Sequence, residues 1–150
     1  MNIELLQDGL DYGVIGILGL MSFITIWCWI ERLMFFRTVD LENYKLKEAL
    51  EIDLTNNTSI ISSFGSNAPY IGLLGTVFGI IITFYMMGQS GDLDAKTIMT
   101  SLALALKATG MGLAVAIPAI FFHTHIVRKM EVLIAKWEII QKEKDDYQKV

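Results

Sequence analysis

The side chains that could carry chemistry in this chain are a few polar groups set inside apolar sequence: Thr76, Thr83, Thr109 and Lys107. A threonine hydroxyl among aliphatic residues has two uses. It can bond back to a carbonyl one turn earlier in its own helix, as membrane threonines commonly do. Alternatively, it can offer a donor and an acceptor to a polar pathway. If the segments bearing Thr76 and Thr109 are antiparallel helices, each hydroxyl lies roughly 12 Å from a membrane surface at about 1.5 Å per residue. Such matched depth favours a shared pathway, with Thr83 on the same face as Thr76. Lys107 lies two positions from Thr109, hence about 200° around a helix and off that face. An ammonium in hydrocarbon is costly, so Lys107 should snorkel to the outer surface or pair with a carboxylate. His123 and His125 point to different faces of a helix, which makes a poor metal site and an interfacial role the expectation. Cys28 sits in an apolar run and says nothing about redox compartment. No Ser/His/Asp set, phosphate loop or dinucleotide motif is present, so neither an enzyme nor a cofactor or metal site is expected.

The elements that must position these groups follow from composition. The chain has 150 residues, 53% hydrophobic and 19% charged, against about 45–50% and about 25% in soluble domains. Two prolines and one cysteine exclude collagen and a disulfide scaffold, and a net charge of −4 without a basic cluster disfavours nucleic acid. The apolar residues gather into three runs, 12–30, 68–88 and 98–123, whose only charge is Lys107. Each is near the roughly 20 residues that cross a bilayer. A chain this short cannot wrap three such helices in soluble protein. The expected fold is therefore an all-α integral membrane protein with three transmembrane helices.

Orientation follows from Lys and Arg in the flanks. Residues 1–11 hold none and 89–97 hold Lys96 alone. The 31–67 segment holds Arg32, Arg37, Lys45 and Lys47, and the tail 124–150 holds Arg128, Lys129, Lys136, Lys142, Lys144 and Lys149. The N-terminus is thus expected outside. The 31–67 loop and the tail are then cytoplasmic, and 89–97 is a tight periplasmic turn with Asp94 opening the third helix. The first run is expected to stay in the mature protein: its flank lacks Lys and Arg, and Glu31-Arg32 stands where a cleavage site would need small residues. Leu41, Tyr44, Leu46, Ala49 and Leu50 suggest an amphipathic continuation of the first helix, broken at Asn56-Asn57-Thr58-Ser59.

Steps of three and four put Gly72, Thr76, Gly79 and Thr83 on one face of the second span, with the Gly75/Gly79 pair beside it. In the third, Ala105, Thr109, Gly112, Ala116, Ala119 and His123 form a stripe that continues as Ile126, Met130, Leu133, Trp137 and Ile140. Helices in lipid associate through small residues, whereas apolar burial drives contact in water. Gly72, Gly75, Gly79, Ala105, Gly112, Ala116 and Pro118 are the expected packing set, Pro118 adding a kink. The long third helix reads as the spine of an oligomer.

The strings 67–82 (N-A-P-Y-I-G-L-L-G-T-V-F-G-I-I-I) and 105–119 (A-L-K-A-T-G-M-G-L-A-V-A-I-P-A) resemble the ExbB/TolQ/MotA family of proton-driven motor subunits. Three spans rather than four favour the ExbB or TolQ type. The resemblance implies a homo-oligomeric, pentameric ring in the bacterial inner membrane around single-span partners of the ExbD type, whose membrane aspartate carries the proton. The output would be force on a TonB-like protein that spans the periplasm. Thr76 and Thr109 match the family's pore threonines, and Pro118 its A-I-P-A proline. Relatives often carry Glu where this chain has Leu104, so the proton-carrying carboxylate would come from the partner. A charged Lys107 is also unusual. The competing expectations are a TolQ-like envelope motor and a non-conducting scaffold for single-span partners.

Overall fold

The computed structural model describes residues 3–90 and 95–148, and every regular element among them is helical. Helix α1 spans Ile3–Thr38, a 3₁₀ turn covers Leu41–Asn43, α2 spans Lys47–Thr55, α3 Thr58–Ser90 and α4 Ala95–Gln148. Three of these, α1, α3 and α4, are long and apolar enough to cross a membrane. Hydrocarbon offers no partner to backbone N–H and C=O groups, so an uninterrupted helix is the form such runs can take in lipid. Of the turn expected over residues 89–97, Gln89 and Ser90 still belong to α3 and residues 95–97 already belong to α4; residues 91–94, with Asp94 as the expected helix start, lie outside the described residues.

The helices outrun the apolar runs. α1 continues past Ile30 to Thr38, and α3 begins at Thr58, ten residues before its apolar run. An apolar run marks the thickness of lipid, whereas a helix ends where its packing or capping ends. Phe36 and Ile61 are buried against Leu50, Leu54, Ile126, Met130 and Trp137 in a core beyond the spans. The expected continuation of the first helix through Leu50 is instead three pieces: the end of α1, a 3₁₀ turn capped by Asp40, and the separate α2. The break after α2 is at Asn56-Asn57 alone. Asn57 takes φ 59°, a left-handed conformation that asparagine tolerates, and donates from Nδ2 to Glu31 Oε2 at 3.1 Å. Thr58 and Ser59 already belong to α3.

α3 and α4 lie side by side with the most extensive interface in the chain, and α1 packs against both. Their approach is close enough to exclude a methyl group. A Cβ on Gly72 would sit 2.6 Å from the carbonyl oxygen of Ala108, and one on Gly112 would sit 2.7 Å from that of Ala68. A second cluster, Leu18, Met21, Ala68 and Ala116, ties α1 to this pair.

The long stripe on α4 has a different employment from the one expected. Ala105, Ala116, Ala119, Ile126, Met130 and Trp137 are all buried within this single chain, facing α1, α2 and α3 rather than being left for another subunit. Small residues let α3 approach in the spans, and large ones fill the wider gap where α2 enters. Pro118 is exposed, two positions and about 200° from Ala116, so it is off the packing face. Its missing N–H leaves only the carbonyl of Ala114 without its helical partner, and α4 continues through it. Pro69, expected at the start of a span, is likewise inside α3.

Candidate functional site

Thr76 enters the α3–α4 contact because Gly72 and Gly79, one turn to either side of it, carry no side chain to hold α4 away. Thr109 faces it from α4, between Ala105 and Gly112. The two hydroxyls are hydrogen-bonded to each other, Oγ1 to Oγ1, at 2.5 Å, and either can donate. Thr76 is buried and Thr109 half-buried. Thr76 Oγ1 also reaches the carbonyls of Ala105 at 3.1 Å and of Gly72 at 3.3 Å. Thr109 Oγ1 reaches the Gly72 carbonyl at 3.4 Å.

Two hydroxyls supply two protons, and each oxygen can also accept. The pair therefore has two orders. In one, Thr109 donates to Thr76, which donates to a backbone carbonyl. In the other, Thr76 donates to Thr109, which donates to the carbonyl of Gly72. The first order leaves the Thr109 oxygen free to accept from an outside donor such as a carboxylic acid. The second leaves the Thr76 oxygen free. Reversal needs only hydroxyl rotation, with no movement of either helix.

The remaining residues singled out by sequence fall in four places. Gly72, Gly75, Gly79, Ala105 and Gly112 lie at the helix contact beside the pair, while Ala116 packs two turns away against Ala68 and α1; a Cβ on Gly75 or Gly79 would lie 2.9 Å from the methyl of Ala108 or Ala105, respectively. Thr83 is buried, but its hydroxyl bonds to the Gly79 carbonyl of its own helix at 2.8 Å. It is therefore apart from the pair. Lys107 and Leu104 are on the other side of α4, where Lys107 lines a cavity together with Asp11. His125 packs obliquely on Trp29, with ring centroids 6.3 Å apart.

Arg32, counted with the flanking charges, is not a solvated charge: it is 5% exposed. It donates to the Asp53 carbonyl at 3.0 Å and to Glu31 Oε1 at 2.9 Å, which pins α2 beneath α1. Flank counting sees only its sign. Lys47 closes the same region by pairing with Glu138 on α4 at 2.6 Å, and Trp137 Nε1 donates to the Tyr44 carbonyl at 2.9 Å.

Helices of membrane-crossing length, with a hydroxyl pair buried at a glycine-lined contact, describe a multi-pass membrane protein. A sequence model described as "MotA/TolQ/ExbB proton channel family" matches residues 29–139. The chain belongs to the MotA/TolQ/ExbB family. It is 52% identical to an "ExbB-like 2" biopolymer transport protein of Helicobacter pylori over 89% of both chains. It is 49% identical to the biopolymer transport protein ExbB of Helicobacter pylori, over 93% of this chain and 97% of that one. With the biopolymer transport protein ExbB of Aquifex aeolicus it shares 46% identity, over 93% of this chain and 95% of that one.

Proposed function

We propose that this chain is an ExbB-like subunit of a motor in the bacterial inner membrane that uses proton entry to energise a TonB-like protein for outer-membrane import. The observation that carries this reading is the Thr76–Thr109 hydroxyl pair, whose proton order reverses without helix movement. Such a pair can serve either protonation state of a carboxyl group brought beside it: an acid donates to the free hydroxyl oxygen, and a carboxylate accepts the proton that one hydroxyl otherwise gives to a backbone carbonyl. Leu104 and Lys107 supply no acidic group nearby, so the carboxylate is assigned to a single-span, ExbD-like partner. A proton crossing about 100 mV releases about 2.3 kcal/mol, enough to bias a ring if passage is gated.

The ring itself, taken as a pentamer, is built through faces that the chain leaves open. On α3 these include Leu73, Val77, Phe84 and Tyr85, and on α4 Leu113, Ile117 and Phe121. The N-terminus is placed outside and the α2 region and the end of α4 inside. In support, Arg37, Arg128, Lys129 and Lys136 converge around one cavity of about 340 Å³ at that end, as cationic flanks of a cytoplasmic boundary do. The ExbB names of the relatives favour a TonB-type role over a TolQ-type one.

The test is the double variant Thr76→Val/Thr109→Val in cells that depend on this chain for energised import. Valine keeps the shape and removes both protons. Assembly with the single-span partner should persist while import is lost. Normal import by the assembled variant would instead make the chain a non-conducting scaffold.

A further inference from the structure

A cavity of about 210 Å³ lies between the outer part of α1 and α4, lined by neither Thr76 nor Thr109. Asp11 and Tyr12 line it from α1 and Lys107 from α4, with Ile15, Leu104 and Met111 as its apolar wall. Its floor is Ala108, which is buried. Asp11 immediately precedes the uncharged run of α1, so it marks a membrane boundary. Lys107 is twelve residues into α4, about 18 Å along it, and lines the same cavity as Asp11 from inside the span. Tyr12, 76% exposed, is at the depth where amphipathic rings sit among headgroups.

Asp11 and Lys107 have opposite charges, yet the ion pairs among the described residues are Arg32–Glu31, Lys47–Glu51, Lys47–Glu138 and Arg128–Glu131. The two line one cavity without closing on each other. We infer that the cavity is a headgroup site for a phospholipid with a primary ammonium, the phosphate on Lys107 and the ammonium on Asp11. Charge and hydrogen bonding both select this class. A zwitterion matches one cation and one anion, whereas an anionic headgroup brings negative charge against Asp11. A choline headgroup is also zwitterionic, but its quaternary nitrogen has no N–H to give the carboxylate. The apolar wall takes the glycerol and the first acyl carbons. The bound lipid bridges α1 to α4 and answers the cost of a lysine inside a span. None of this requires proton passage through the hydroxyl pair.

The experiment uses the full chain in mixed vesicles containing equal amounts of phosphatidylethanolamine, phosphatidylcholine and phosphatidylglycerol. Lipid retained after purification in mild detergent is counted by native mass spectrometry. Retention of phosphatidylethanolamine should exceed that of phosphatidylcholine about tenfold, the worth of one charge-assisted hydrogen bond. Asp11→Asn and Lys107→Met should each abolish the preference, and Lys107→Arg, which keeps the charge, should preserve it. Equal retention of the three lipids by the wild type overturns the inference, as does an unchanged preference in both neutral variants.

Discussion

Gly72 and Gly112 decide whether Thr76 and Thr109 meet. Each is opposed by a backbone carbonyl, which cannot turn aside as a flexible side chain can. Gly72→Val should therefore cost about 1–3 kcal/mol, the usual range for overpacking a close contact. It should appear as a lowered denaturation midpoint of the purified protein, and an unchanged midpoint would contradict the close approach. Residue spacing made the small face readable, because glycine, alanine and threonine recur at steps of three and four. It could not tell which helix fills that face, since a neighbouring helix of the same chain and one from another subunit ask for the same small residues. Nor could it separate Thr83 from Thr76. Both occupy one stripe, but Thr76 bonds to a hydroxyl across the helix contact, whereas Thr83 bonds back to the Gly79 carbonyl of its own helix.

At the scale of elements, α2 is held beneath the spans by polar contacts at both ends. Arg32 reaches its Asp53 carbonyl, and Lys47 pairs with Glu138 on α4. The hydrogen bond and the charge of Glu138 raise the pKa of Lys47, and the same contact with Lys47 lowers that of Glu138. For Glu138, the lowered value means stability present above the unfolded carboxylate pKa, about 4.3, and lost as pH falls through the folded value. For Lys47, the raised value means stability present below the unfolded pKa, about 10.4, and lost as pH rises through the folded one. The contact thus operates across neutral pH and opens only at the extremes. Protease sensitivity of the segment between α1 and α2 should stay flat from about pH 6 to pH 9 in the wild type, and rise at pH 7 in Glu138→Gln. A variant no more sensitive than the wild type would show that this ion pair does not hold α2. The three spans could be read from length and lack of charge. Their extensions could not, because residues 31–38 and 58–67 are too polar to resemble spans and are helical through contacts with α2 and α4. That Asp11 and Lys107 line one cavity was hidden for a similar reason: a snorkelling lysine and one facing a carboxylate on another helix have the same local sequence.

For the whole molecule, the apolar stripe of α4 is spent on the subunit's own core, so the ring we propose must use the broad aliphatic and aromatic faces that remain open on α3 and α4. The proposed output depends on two components this chain does not itself supply: neighbouring copies to enclose a lumen, and a partner carboxylate to bring the proton beside Thr109. In the function we propose, the hydroxyl pair passes that proton on. The most direct test is proton flux into liposomes containing this chain and its single-span partner under an imposed membrane potential. Flux is expected with both wild-type proteins, and background flux when either the partner's membrane aspartate is changed to asparagine or the chain carries Thr76→Val/Thr109→Val. Undiminished flux through the assembled double variant would contradict that role.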